Sequence, residues 1–167
     1  MSIDLVDIFL KHSRDDSKGY FRKCLPSDRV IDRLGMDSWQ RIVSWIPTEA
    51  SLFSYIRELP YSLAALTYVS KLSEDPLCFV LLLRDHPDSD SIISFHGGSW
   101  SNPFISFRCG RQMLATLRRC GFEIRTSIRV ENVAAHRFVK NLGLKVATRN
   151  GGILWYRYPE EKSEQNG

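Results

Sequence analysis

The first candidate catalytic group is a histidine at the end of a short β-rich segment. His96 follows Ser94 and Phe95 and precedes the pair Gly97-Gly98. An imidazole has an ordinary pKa near ~6.5, so it accepts a proton readily at neutral pH. A histidine close to a strand end is also a common structural residue. The sequence leaves both interpretations of His96 open, as a general base and as a structural side chain.

A second candidate group surrounds an asparagine that precedes a helical pattern. Asn132 is followed by Ala135 three positions later, and Leu142-Gly143-Leu144 ends the pattern. Asparagine is a preferred helix N-cap, and glycine just after the last turn is a preferred C-cap. Taken one by one, these residues could therefore be no more than helix ends.

A third candidate is a basic segment that contains one glycine. We interpret it as a loop that opens a helix running from Gly110 to Cys120, where backbone amides and two arginines bind a phosphate group. An ordinary loop with two solvated arginines is the alternative. The segment also contains Cys109, and no His-Asp pairing supports a nucleophilic role for it. The predicted phosphate-binding residues are Phe107, Arg108, Cys109, Gly110, Arg111 and Gln112.

The segment 131–144 resembles the fourth-helix motif of the GCN5-related N-acetyltransferases (GNATs). That motif has Asn, a small residue three positions later, and Leu-Gly followed by an apolar residue at positions ten to twelve. Here Asn132, Ala135 and Leu142-Gly143-Leu144 match it at those offsets. The resemblance covers about residues 20–158 in the order of elements, whereas the family's phosphate-binding signature is kept only at Gly110. The sequence is therefore identified as a divergent member of this family.

The resemblance implies transfer of an acetyl group from acetyl-CoA to a primary amine, on a small molecule or a protein, by direct attack in a ternary complex. It implies that His96 takes the proton of the amine and that no metal takes part. It also implies that Ser99 and Trp100 lie where the fourth strand meets the pantetheine arm of acetyl-CoA. Many members protonate the leaving thiolate with a Tyr seven residues after the motif Asn, and that position is Val139 here.

The remaining cofactor contacts implied by the resemblance belong to two segments. Asn132 and Ala135 would contact acetyl-CoA from the fourth helix, and residues 107–112 would contact its phosphates. Because a thiol is a tolerable leaving group near neutral pH, the missing Tyr does not exclude the reaction.

Hydrophobic periodicity and turn residues predict the elements that must position these groups. The predicted helices are 3–11, 29–34, 39–46, 49–59, 110–120 and 133–142, and the predicted strands are 20–25, 62–70, 77–84, 91–96, 122–130, 144–149 and 152–158. Short links between the second, third and fourth strands indicate an antiparallel meander, and Asn150-Gly151 is typical of a tight hairpin. A helical crossover makes the strand at 122–130 parallel to the strand at 91–96.

This order predicts an α/β (α+β) fold with a GNAT-like mixed, mostly antiparallel central sheet and helices on both faces. We expect an N-terminal helical extension over residues 1–19, an acetyltransferase domain over 20–158 and a flexible acidic tail over 159–167. The 167 residues suit a single domain.

Composition and the chain ends limit the class of protein. No apolar run approaches the ~18 residues of a membrane span, and the first ten residues carry Asp4 and Asp7 without a basic flank, unlike a secretory signal. The four cysteines, at 24, 78, 109 and 120, show no metal-binding spacing. We expect a cytoplasmic protein, monomeric or homodimeric, with no membrane or metal partner.

Positive charge is concentrated in one third of the chain. The net charge is +4, yet residues 101–158 hold eleven Lys or Arg against two acids. Such a segment indicates an anionic ligand, either a phosphorylated cofactor or a nucleic acid. Phe122 and Phe138 stand at positions expected to be buried, so we expect no nucleic-acid partner. The competing hypothesis is a non-catalytic GNAT-fold binding module that uses this Arg-rich third.

Overall fold

The structure, a computed structural model, describes residues 4–34, 46–84, 86 and 88–159. Within these ranges the helices are α1 (Leu5–His12), α2 (Glu49–Glu58), α3 (Pro103–Arg119) and α4 (Val133–Asn141). The strands are β1 (Gly19–Lys23), β2 (Leu63–Ser70), β3 (Pro76–Leu83), β4 (Ile92–Ser99), β5 (Glu123–Arg129), β6 (Lys145–Asn150) and β7 (Ile153–Arg157). The helix predicted over 39–46, except Ile46, and the tail from residue 160 lie outside the described residues.

The strands form one seven-stranded sheet in the order β1-β2-β3-β4-β5-β7-β6. Strands β4 and β5 are parallel, and every other neighbouring pair is antiparallel. The predicted meander, the parallel crossover and the C-terminal hairpin are therefore confirmed. The predicted fold class, a mixed and mostly antiparallel sheet with helices on both faces, is also confirmed.

Apolar side chains form a core on each side of the sheet. Helices α1, α3 and α4 pack on one side, which we call the α3 face, where Phe9, Met113 and Val139 are buried. Helix α2 packs on the other side, the α2 face, where Leu52 and Ile56 cover β2 and β3. Alternate residues of each strand point to opposite faces, so β3 contributes Val80 to one core and Leu81 to the other.

Two helix predictions were wrong in detail. Helix α3 begins seven residues before the expected start at Gly110, because Asn102 caps it by accepting a hydrogen bond from the Ile105 amide (3.0 Å) and Pro103 occupies its first position. The helix expected at 29–34 is replaced by two 3₁₀ turns, Pro26–Asp28 and Val30–Arg33. Arg29 separates these turns with a left-handed φ of 54°.

A buried carboxylate joins the first 3₁₀ turn to the sheet. Arg22 donates two hydrogen bonds to Asp28, each 2.8 Å long, and the Leu25 amide and the Thr67 hydroxyl donate at 2.9 Å. Burial by itself raises the pKa of Asp28, but these donors outweigh it and lower the pKa to about 2. The ionised carboxylate therefore contributes to folding stability.

A second carboxylate ties the N-terminal segment to α3. Asp16 accepts hydrogen bonds from the Tyr68 hydroxyl (2.7 Å), from Arg108 Nε (2.9 Å) and from the amides of Lys18 and Gly19. Burial opposes ionisation, yet these donors lower the pKa of Asp16 to about 2. Helix α1 lies in the same core as α3, since Leu5 and Phe9 are buried there.

No helix in the described part of the chain is long and apolar enough to cross a membrane.

Replacing Asp28 by Asn is expected to destabilise the protein by roughly 2–3 kcal/mol at pH 7, as its pKa shift implies. The folded-state pKa lies below the ordinary 3.8. The ionised group therefore stabilises fully above pH ~4, and this contribution is lost as the pH falls toward 2. Urea unfolding at several pH values measures both effects.

Asp32→Asn is the matched control, because its ion pair with Arg29 is exposed on both sides (73% and 55%). It should change the free energy of unfolding by less than ~0.5 kcal/mol. Equal losses in the two variants would contradict a special role for Asp28.

Candidate active site

The site is built where two parallel strands separate. Strands β4 and β5 pair at Ile92↔Glu123, Ile93↔Ile124 and Ser94↔Arg125. The Thr126 hydroxyl then donates to the Phe95 carbonyl at 2.8 Å. Beyond this bond a cavity of about 190 Å³ lies between the diverging strands.

Helices α3 and α4 close the cavity on the α3 face. Its wall there is mostly apolar, and it is formed by Val80, Phe95, Cys109, Gly110, Met113, Ile128, Ala135, Phe138 and Val139. On the α2 face, the cavity is lined by Phe79, His96, Gly98, Ser127 and Arg129. Residues on both faces of the sheet therefore line the cavity.

His96 is half-buried and lines this cavity. It pairs with Leu81 of β3, which belongs to the core on the α2 face, so the His96 side chain points to that face. The structure thus brings the predicted base to the point where the strands separate.

Gly97 directs its backbone toward the cavity. The bond from Thr126 shows that the Phe95 carbonyl faces β5. Alternate residues of a strand present their N–H and C=O groups to the same edge, so the Gly97 amide also faces β5. Because the strands have parted at this level, this N–H can serve a ligand in the cavity.

Asn132 and Ala135 line the cavity at the start of α4. Asn132 Oδ1 accepts the Ala135 amide at 3.1 Å, which confirms the N-cap. This bond occupies the oxygen of the side-chain amide and leaves its NH₂ group as the donor. His136 fixes the same turn to the sheet, since its Nε2 contacts the Arg129 carbonyl and its Nδ1 contacts the Tyr156 hydroxyl, both at 2.8 Å.

Gly110 has a packing role inside α3. A Cβ atom placed there would lie 2.9 Å from Leu142 Cδ1 and 3.2 Å from Phe138 Cζ. A larger residue here would displace the Leu142 and Phe138 side chains, which pack closely against α3. Gly110 lines the cavity from the middle of a helix, and the amides of residues 107–112 are bonded along that helix. The predicted phosphate-binding nest at 107–112 is therefore wrong.

Two thiols meet at the same end of the cavity. Cys109 contacts Cys78, and the hydrogen bond between them together with burial raises the pKa of Cys109. Cys109 thus stays a protonated thiol, and it lies in a helix rather than in the predicted loop. Ser99 lines the cavity beside them, but its hydroxyl is bonded to Ser106 (2.7 Å) and to the Ser101 amide (3.0 Å).

Five other predicted contact residues lie outside the cavity lining. Arg108 forms an ion pair with Asp16 (2.9 Å) instead of facing a phosphate. Phe107 packs edge-to-face on Phe138, and the exposed Arg111 lies over Phe107. The remaining two are Gln112, whose carbonyl accepts the Thr116 hydroxyl, and Trp100, which packs on Phe79 at 5.3 Å on the α2 face.

Sequence reasoning missed the four residues of β5 that line the cavity, of which Ser127 and Arg129 lie on the α2 face. Ser94 pairs with Arg125, so every second residue of β5 from Arg125 lies on the same face as His96. The predicted parallel pairing contained this signal, although its register could not be fixed without the structure. The described residues contain no group of three or more His, Cys, Asp or Glu that could hold a metal ion.

Comparison with solved structures identifies this architecture. Apo FdhC, a nucleotide-linked sugar GNAT, has a TM-score of 0.62 at 14% identity, over 88% of this chain and 89% of its own. The ribosomal-protein-S5-alanine acetyltransferase of Vibrio fischeri has a TM-score of 0.57 at 12% identity, over 87% and 94%. YncA of Salmonella typhimurium, solved with its cofactor acetyl-CoA, has a TM-score of 0.56 at 13% identity, over 88% and 97%.

Sequence comparison gives no match. No protein-family model and no curated protein matches the chain. The likeness therefore lies in the fold and not in the sequence. From these structural matches, the chain has the fold of the GCN5-related N-acetyltransferases, in a strongly divergent sequence.

Proposed function

We propose that this chain is an N-acetyltransferase that uses acetyl-CoA and a primary amine in a ternary complex. The observation that carries the proposal is the cavity between β4 and β5, which is lined by residues on both faces of the sheet. Asn132 and Ala135 line it beside α4, and His96 lines it from the α2 face. An acyl donor and an amine can meet there from opposite sides.

The cavity suits the thin pantetheine arm of acetyl-CoA. Ala135, which lines it beside α4, is small. Gly97 and Gly98 also line it, but the space that a side chain would take there is filled by Phe79 and, at Gly98, by the Arg33 carbonyl. The Gly97 amide and the Asn132 NH₂ group are donors for the amide carbonyls of such an arm. When bound, acetyl-CoA supplies an acetyl group activated as a thioester.

Fewer groups of this chain are suited to bind the phosphate end of acetyl-CoA. Only residues 100–102 connect β4 to α3. Pro103 has no amide hydrogen, and the Asn102 side chain already accepts from the Ile105 amide. The start of α3 thus has fewer donors for a diphosphate than an open helix terminus would have. We therefore assign most of the binding free energy to the pantetheine arm.

His96 provides the acid–base chemistry in this proposal. In this proposal it accepts the proton as the amine nitrogen bonds to the acetyl carbon and the carbon–sulfur bond breaks. The products are an amide and the CoA thiol, which regains a proton as His96 is restored. The Gly97 N–H is the donor placed to stabilise negative charge on the acetyl oxygen. Val139 stands where a phenolic acid would be expected, so the thiolate leaves without a tyrosine donor.

A non-catalytic binding module of the same fold is the second candidate. The missing nest at residues 107–112 and the presence of Val139 favour it. It predicts ligand binding without acetyl transfer, whereas the enzyme proposal requires both.

Acetyl-CoA is expected to raise the melting temperature of the protein, by an amount equivalent to about 2.7 kcal/mol at a 100-fold excess over Kd. Ala135→Phe should abolish the shift, because it fills the cavity beside α4. Ala134→Phe is the matched control, since Ala134 is exposed on the same helix and lies outside the lining. No shift at millimolar acetyl-CoA, or equal shifts in both variants, would contradict the proposed site.

His96→Gln is expected to lower kcat by ~10²–10⁴-fold, the usual contribution of a positioned base, while the acetyl-CoA-induced melting shift persists. The acidic limb of the pH–rate profile should disappear, because Gln does not titrate. His86→Gln is the control, since His86 lies in the link between β3 and β4, at the opposite end of β4 from the cavity. An unchanged acidic limb in His96→Gln would assign the proton to another group.

A further inference from the structure

The α2 face of the last three strands, β5, β6 and β7, carries a group of basic side chains. The register places alternate residues of β5 and β7, with their partners on β6, on the same face as His96. Four of them are cationic, and we call these the basic patch: Arg125, Arg129, Lys145 and Arg157. They are joined there by Trp155, which is partly buried.

The basic patch holds like charges side by side. Arg125 lies directly opposite Arg157, and Arg157 lies directly opposite Lys145, so three adjacent strands carry a row of cations. Like charges at opposed positions destabilise a sheet. Among the described residues, the same register places one acidic residue, Glu123, on this face. Its Oε1 contacts Arg125 (2.9 Å) and Arg157 (3.2 Å). The patch with Glu123 thus keeps an excess of three positive charges.

Arg129 connects the basic patch to the candidate active site. It lines the cavity together with His96 and Ser127. Ser127 pairs with Trp155, so the indole lies on the same face, between the levels of Arg125 and Arg129. A molecule bound on this face would therefore lie next to the mouth of the cavity on the side of His96.

Several other arginines of the C-terminal third have structural partners away from this face. Arg108 is paired with Asp16, and Arg119 donates to the His12 carbonyl at 2.8 Å. Arg118 stacks on Tyr158 and donates to the Pro159 carbonyl. These contacts fix helices and the end of β7, whereas Arg129 faces the cavity. The positive charge near His96 therefore requires its own explanation.

We infer that the acceptor amine is carried by an anionic molecule, whose phosphate or carboxylate group binds the basic patch. The inference rests on the proposed function, because it names the class of its acceptor. Guanidinium groups bind phosphate and carboxylate through paired, charge-assisted hydrogen bonds. With the anion held at Arg129, the amine end of the same molecule reaches His96. The field of the patch also attracts anions and repels cationic amines.

The test uses four amines with the same three-carbon chain and different end groups. Aminopropyl phosphate and γ-aminobutyrate are anionic, aminopropanol is neutral and diaminopropane is cationic. Release of the CoA thiol from acetyl-CoA measures transfer, and the melting temperature with each amine alone measures binding. The two anionic amines distinguish phosphate from carboxylate recognition.

We expect kcat/KM to be about 10-fold or more higher for at least one anionic amine than for aminopropanol, and lowest for diaminopropane. Arg129→Gln should reduce the ratio between the anionic and neutral amines by about 10-fold. Arg137→Gln removes the same charge from an exposed position of α4, on the opposite face, and should leave the ratio unchanged. The anionic amine should also raise the melting temperature of the wild type more than that of Arg129→Gln.

The two readouts separate the two proposals. Thiol release with no preference for anionic amines, or a preference that survives Arg129→Gln, would overturn the anionic acceptor and leave the acetyltransferase intact. Melting shifts that depend on Arg129, without thiol release from any amine, would support the anion site and overturn the enzyme proposal. The absence of an anion effect in both readouts would overturn the inference.

Discussion

The early end of the pairing between β4 and β5 is the constraint on which the other features depend. Three residue pairs hold these parallel strands, and the Thr126 hydroxyl adds a last bond to the Phe95 carbonyl. Without further ladder bonds, backbone groups that a continuous sheet would pair with each other face a cavity instead. The direction of the Gly97 amide and the position of His96 both follow from that separation. The start of α4, which follows β5 and is capped by Asn132, then closes one side of the cavity.

Local signals in the sequence predicted the elements around the site better than the contacts between them. The Asn132 cap, the parallel crossover and the hairpin at Asn150-Gly151 all depend on short-range or topological rules. Gly110 misled the helix assignment, because it does not open a helix. It lies inside α3, where the Leu142 side chain packs against it. Arg108 shows the same limit, since its partner Asp16 lies 92 residues away and no spacing rule relates the two.

The Arg-rich third of the chain thus contains side chains with two kinds of environment. On α3, Arg119 is bonded to His12, the last residue of α1, and Arg108 to Asp16 in the segment that follows, so both hold the N-terminal part of the described chain against the helix. On β5, Arg125 and Arg129 share the face of the sheet that carries His96. The net charge of the segment does not distinguish between these two environments. The register of the sheet decides which arginines are placed to meet one.

The attachment of α1 has a consequence for the order in which the protein folds during synthesis. An eight-residue helix is too short to be stable alone in water. Its anchors on α3 are distant in the chain, because the contacts of Ile8 with Cys120 and of His12 with Arg119 span 112 and 107 residues. Leu5 and Phe9 can pack on β1 and β2 earlier, since Phe9 contacts Phe21 and the Leu5 amide donates to the Pro60 carbonyl. The packing of α1 is therefore completed only after α3 has been translated, more than a hundred residues later.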